Sequence, residues 1–107
     1  LKNMTDELFE TDIAKEEISI IQFSASWCGP CKSLKPILDS LSSSSEYNDK
    51  NINWYYADVE EGGINTASAM GIRGVPTTII YKKKIECDRL VGNPGEARIR
   101  EFVDKNL

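Results

Sequence analysis

The segment Phe23-Ser24-Ala25-Ser26-Trp27-Cys28-Gly29-Pro30-Cys31-Lys32 decides how the rest of the chain is read. Just before and into it, Ile18 to Phe23 is a short β-branched run, apolar on both parities, which predicts a central strand covered on both faces. After it, Leu34, Ile37, Leu38 and Leu41 recur at i, i+3, i+4 and i+7 and predict one face of a helix from about Pro30 to Ser43. Pro36 lies inside that pattern and is expected to kink the helix by removing a hydrogen bond. Cys28 therefore opens a helix just after a strand. Unpaired N–H groups and the positive end of the helix dipole favour a thiolate there, so its pKa is expected below the free value of about 8.5. An exposed Cys28 is expected. Cys31 lies one turn deeper, where its sulfur can reach that of Cys28. Closing so small a loop gains little chain entropy, so the spacing suits exchange better than stapling. Pro30 fits the first helical turn and stiffens the pair, and Gly29 lets a partner's backbone approach Cys28.

Working outward, Thr5 to Lys15 reads as a helix with Thr5 as N-cap and Asp6 and Glu7 in its first turn. Ser42 to Ser45 is a polar exit from the second helix. Ile52 to Val59 is an extended run, broken by Gly62-Gly63, and Ile64 to Met70 is a short helix that Gly71 ends. Thr77 to Tyr81 reads as a strand, Lys82-Lys83-Lys84 as a charged turn, and Ile85 to Val91 as an antiparallel edge strand. Pro94 to Asn106 is the last helix, with Ile99, Phe102 and Val103 on its buried face. The expected order is β-α-β-α-β-α-β-β-α, with no residues assigned to the first strand. Helices between strands imply parallel pairs with helices on both faces, and the final hairpin makes the sheet mixed. The class is α/β, in one domain spanning residues 1–107 without repeat or linker.

Composition narrows the chemistry. The 107 residues carry 13 Lys and Arg against 17 Asp and Glu, a net charge of −4, which argues against nucleic acid or an anionic membrane as partner. No apolar run approaches the roughly 20 residues that span a bilayer. The chain has no His, which excludes Ser-His and Cys-His hydrolases and His-ligated zinc. Of its three Cys only Cys87 lies outside the Cys28–Cys31 pair, too few for a disulfide-stapled scaffold. A zinc half-site and an inert bridge are the competing uses of the pair. Ligand count weighs against the first and the helix-start location against the second. No metal is expected. No charged-then-apolar signal peptide is visible, and a reducing, cytoplasmic compartment is the expectation.

The segment around Cys28 resembles the active site of the thioredoxins, and Gly71-Ile72-Arg73-Gly74-Val75-Pro76-Thr77 resembles that family's cis-proline loop. Val91-Gly92 is similar to the glycine that closes the family's substrate groove, and Phe9 to Ile13, Pro36 and Asp58 also fit. The resemblance covers nearly the whole chain. It implies a thioredoxin fold, a central mixed sheet of four or five strands flanked by about four helices. It also implies protein-disulfide reduction, in which Cys28 attacks a partner's disulfide and Cys31 resolves the mixed disulfide. No bound cofactor is expected, the redox group being the Cys28–Cys31 disulfide itself. The chain carries no dinucleotide fingerprint, so the implied electron donor is external, an NADPH-dependent thioredoxin reductase or another dithiol donor. Oxidised proteins are the implied substrates, and a monomer is expected. Trp27, Gly29, Pro30, Val75, Pro76 and Gly92 would line the groove, with Trp27 half-exposed. From local sequence alone Pro76 reads as an ordinary turn proline; the cis bond follows only from the resemblance.

The sequence departs from the family where a buried Asp is usual and Gln22 stands. The Lys that usually lies near that Asp aligns with Trp54, and the motif's second Trp is Ser24. Gln22 and Lys32 are therefore candidate tuning residues. Gln cannot titrate, which bears on how Cys31 loses its proton. Cys87 reads as a half-buried packing thiol on the edge strand, with a regulatory thiol as the alternative. A dithiol oxidase or isomerase and a redox-independent binding module are the alternative functions; Gly-Pro between the cysteines favours the reductant.

Overall fold

The computed structural model describes residues 1–107. Its elements are β1 (Lys2–Met4), α1 (Asp6–Leu8) running into a π-helical turn (Phe9–Ile13), β2 (Ile18–Ser24), α2 (Gly29–Ser42), β3 (Ile52–Asp58), α3 (Ile64–Ala69), β4 (Thr77–Lys82), β5 (Ile85–Val91) and α4 (Glu96–Lys105). One five-stranded sheet runs in the order β1-β3-β2-β4-β5. β1 is the first strand of the expected order, for which no residues are assigned from the pattern; three residues are too few to show a period. The expected helix over Thr5 to Lys15 is shorter and changes winding at Phe9. Thr5 caps it as expected, its Oγ1 accepting from the Leu8 N–H at 3.2 Å.

Strand direction also differs from expectation. β1 and β2 are parallel to β3, but β4 runs antiparallel to β2 as well as to β5. The sheet is therefore mixed at its centre and not only at the final hairpin. Length explains this. Six helical residues advance the chain by about 9 Å, whereas a seven-residue strand spans about 23 Å. α3 cannot carry the chain back along β3, so β4 starts at the end where β3 finished, with Thr77 beside Phe23.

Alternation along the strands builds two cores. Ile21, Phe23, Tyr55, Ala57, Ile79 and Tyr81 face one side and pack with Phe9, Ile13 and Ala67. Ile20, Trp54 and Ile80 face the other, where Leu34, Leu38 and Leu41 of α2 and Ile99, Phe102 and Val103 of α4 cover them. β2 is buried from Ser19 to Ser24, as its two-sided apolar pattern predicts. Each fully buried leucine contributes about 1.5–3 kcal/mol, more than the hydrogen bond that Pro36 removes. α2 accordingly runs unbroken through Pro36.

Candidate functional site

The site lies at the C-terminal ends of β2 and β3, where three loops meet. After β2 the chain turns at Ala25, whose carbonyl accepts from the Cys28 N–H at 3.1 Å. Cys28 is the N-cap of α2, and its Sγ accepts from the Cys31 N–H at 3.2 Å. That contact is the local reason a sulfur at this position is held like a capping oxygen, with an N–H donor aimed at it. Cys28 and Cys31 form a disulfide with their Cα atoms 5.3 Å apart. Pro30 occupies the first turn.

Exposure differs from expectation. Cys28 is 3% exposed and Cys31 1%. Ala25, Val59 and Val75 pack around the pair, so the bridge sits in a shallow apolar seat. Around it Trp27, Gly29, Pro30 and Lys32 are exposed. Trp27 is more open than half-exposed, at 68%, and its indole Nε1–H donates to Glu60 Oε1 at 2.8 Å. Glu60 was not singled out in the sequence. Its partner is 33 positions away, and no local spacing signals such a contact.

The third loop carries Val75 and Pro76. The Val75–Pro76 peptide is cis, as the resemblance implied. The Pro76 carbonyl accepts from the Gly92 N–H at 2.8 Å, and Gly92 has φ +88°, a conformation that an L side chain rarely adopts. Thr77 Oγ1 donates to the Gly74 carbonyl at 2.6 Å. From β5, Arg89 Nη2 donates to the Met70 carbonyl at 2.9 Å. Between this loop and Trp27 lies a cleft of about 150 Å³, lined by Val59, Glu60, Ile72 and Val75 among others. Of the expected groove residues, Trp27, Gly29 and Pro30 flank Cys28 in the chain, Val75 packs against the disulfide, and Pro76 and Gly92 are tied to each other beside Val75. Lys32 is exposed on α2 and makes no side-chain hydrogen bond or ion pair.

Beneath Cys31, Gln22 is fully buried. Its Nε2 donates to Ser24 Oγ at 2.8 Å and to the Cys31 carbonyl at 3.1 Å. The register places Tyr56 directly opposite Gln22 and pairs Trp54 with Ile20. Trp54 lies two residues further down the same face of β3, in the apolar core against Tyr47. Tyr56 is half-buried, with the Lys35 ammonium 5.2 Å from its ring centroid. Cys87 is exposed and not a half-buried packing thiol, because it lies at a β-bulge between β4 and β5, where Glu86 pairs with Tyr81, Asp88 with Ile80 and Cys87 has no cross-strand partner. The structure does not bring it to the site.

The family model for thioredoxin matches residues 1–105. The chain belongs to the thioredoxin family. It is 35% identical to a thioredoxin of Acidithiobacillus ferridurans, covering 97% of this chain and 94% of that protein. It is 30% identical to a thioredoxin of Rickettsia prowazekii, covering 100% and 99%. Among solved structures, a Plasmodium falciparum thioredoxin superposes with a TM-score of 0.88 at 27% identity, covering the whole of both chains. The family and the Cys28–Cys31 bridge make this thioredoxin-family chain a thiol–disulfide oxidoreductase with a redox-active disulfide. No helix is long and apolar enough to cross a membrane.

Proposed function

We propose that the chain reduces disulfides in other proteins and is itself reduced by a thioredoxin reductase that draws on NADPH, or by another dithiol donor. The supporting observation is the placement of Cys28 at the N-cap of α2, where an N–H donor already points at its sulfur. In the reduced protein the same donor and the helix dipole favour the Cys28 thiolate. That thiolate attacks one sulfur of a partner's disulfide, and the other sulfur leaves as a thiolate that takes up a proton. Cys31 then loses its proton, attacks Cys28 and releases the partner's second thiol. Two electrons and two protons pass to the partner, and the Cys28–Cys31 disulfide forms.

Trp27, Gly29, Pro30, Val75, Pro76 and Gly92 receive the partner. The exposed indole and the Val75 backbone offer an apolar wall and a strand-like edge for an extended segment. Gln22 and Lys32 tune the pair, Gln22 by holding the Cys31 carbonyl and Lys32 by its charge on the exposed face. We place the protein in a reducing, cytoplasmic compartment, acting as a monomer. The test is insulin-disulfide reduction, first with dithiothreitol and then with a thioredoxin reductase and NADPH. Acceleration in both arms is expected. No acceleration over dithiothreitol alone overturns the reductase reading, and acceleration in the first arm only assigns a different donor.

A further inference from the structure

A single hydrogen bond joins the start of α2 to the loop between β5 and α4. Asn93 Nδ2 donates to Ser33 Oγ at 3.1 Å, across 60 positions of sequence. Ser33 lies two residues after Cys31, and its Oγ donates in turn to the Pro30 carbonyl at 3.0 Å. Asn93 directly follows Gly92, whose N–H holds the Pro76 carbonyl. A path of hydrogen bonds and short backbone steps therefore leads from the helix that carries the disulfide to the loop that carries Val75 and Pro76.

Both side chains of this contact are oriented before they meet. Asn93 Oδ1 accepts from the Gly95 N–H at 3.1 Å. That N–H can only donate, so the amide oxygen must face it and the nitrogen faces Ser33. Asn93 also stands before Pro94, which biases it to extended backbone, and Pro94 fixes its own φ. Gly92 and Gly95 on either side take φ +88° and +97°. On α2, the Ser33 hydroxyl places its one proton on the Pro30 carbonyl and keeps its lone pairs for Asn93. A surface hydrogen bond between two loose side chains contributes little. One between two held side chains keeps more of its worth, because less freedom is lost in forming it.

We propose that Asn93 and Ser33 are positioning residues for exchange with an extended partner: their hydrogen bond holds the start of α2 at a set spacing from the Val75–Pro76 loop. A partner's segment has to meet both sides at once. Its sulfur must reach Cys28 at the N-cap of α2 while its backbone lies along Val75. A small disulfide meets only the sulfur and gains nothing from the spacing. Neither Asn93 nor Ser33 touches the reacting atoms. The inference deepens the reading that the partners are proteins and rests on it for the partner's extended shape; the chemistry it needs is that of the Cys28–Cys31 couple.

The test compares two disulfides in single turnover with the reduced full chain. One is a pair of unstructured peptides of about ten residues joined through a central cysteine; the other is hydroxyethyl disulfide. In both, the substrate disulfide becomes two thiols as the Cys28–Cys31 disulfide forms. Ser33→Ala breaks the contact alone, since it leaves Asn93 bonded to Gly95 and puts a strong helix former into α2. It should slow the peptide reaction about threefold, the worth of one modest hydrogen bond, and the small disulfide by less than about 1.3-fold. Asn93→Ala should slow the peptide by a similar factor. The double variant should also lose about threefold and not about ninefold, because both changes remove one contact. Ser33→Thr keeps the hydroxyl, which can still reach the carbonyl three residues back, and should stay within about 1.5-fold of wild type. Equal slowing on the two disulfides, an unchanged peptide rate in Ser33→Ala, multiplied losses in the double variant, or a loss in Ser33→Thr as large as in Ser33→Ala overturns the proposal. Neither insulin nor a reductase enters these rates, so failure of the proposed function is a separate outcome.

Discussion

The two ends of the sheet face beneath α2 are built from opposite materials. Far from the disulfide, Leu38, Leu41, Tyr47, Trp54 and Phe102 close on one another in an apolar core. Next to it, on the same face, stand Gln22, Ser24 and Thr78, buried just as deeply and rich in polar atoms. The difference separates two tasks along one helix. The lower part of α2 is held down by burial, which has no preferred redox state. The upper part rests on polar groups, among which Gln22 Nε2 holds Ser24 Oγ and the Cys31 carbonyl. A polar floor contributes less to stability than an apolar one but fixes the position of the turn it holds.

The largest expected effect comes from breaking the chemical end alone. Cys31→Ser should abolish dithiol turnover while leaving Cys28 able to attack, so mixed disulfides accumulate and disappear under reductant. Non-reducing gels followed by peptide mapping check this. If Cys28→Ser traps partners instead, the two sulfurs have exchanged roles. In the reduced wild type, iodoacetamide near neutral pH should label Cys28 before Cys31.

Next in size is the apolar end. Leu38→Ala should lower the unfolding free energy by about 2–5 kcal/mol, because a fully buried side chain leaves a cavity between α2 and the sheet. Urea unfolding measures it. The rate at which Cys28 attacks a small disulfide should change less than threefold, about 0.6 kcal/mol in barrier. A large loss of attack rate would show that the two ends are not separable.

A smaller effect is expected off this face. The Asp6 carboxylate caps the start of α3, accepting from the Thr66 and Asn65 N–H groups at 2.8 and 3.2 Å and from Thr66 Oγ1 at 2.7 Å. Partial burial works against its charge, but these donors prevail and hold the carboxyl below its usual value. A depressed folded pKa means that its stabilisation is fully present above the unfolded value of about 3.9 and is lost as pH falls through the folded one. Asp6→Ala should therefore cost about 1 kcal/mol near neutral pH, with the gap to wild type closing below about pH 4. Melting curves across pH test it; a gap that does not narrow assigns the loss to packing. The smallest effect belongs to Glu60→Ala. It removes the acceptor of an exposed indole and should change stability by less than about 0.5 kcal/mol while altering Trp27 emission.

What the sequence disclosed follows the range of each signal. The strand at Ile18, the helix face of Leu34 to Leu41 and the Cys28–Cys31 pair are carried by neighbours in the chain, and their periods and spacing are local. The antiparallel entry of β4 was hidden because it depends on how far a short α3 reaches, which apolar spacing does not encode. That Tyr56 stands directly opposite Gln22, with Trp54 two residues further down the same face, depends on the register between β2 and β3, which is a tertiary fact. The exposure of Cys87 is hidden for a similar reason: a β-bulge between β4 and β5 leaves it without a cross-strand partner and breaks the alternation that would tie it to Ile85 and Val91. Glu60 acquires its significance only from Trp27, 33 positions away.

The loop that bears Val75 and Pro76 is fastened at both ends by a single strand. Arg89 grips the Met70 carbonyl where the loop leaves α3, and Gly92 grips the Pro76 carbonyl where it enters β4. Arg89 sits on β5, an edge strand of the sheet, and Gly92 directly follows it. β5 thus acts as a jig that sets where the loop stands relative to Cys28. The position of the groove's mouth is thus set from the rim of the sheet, through two hydrogen bonds that touch neither sulfur.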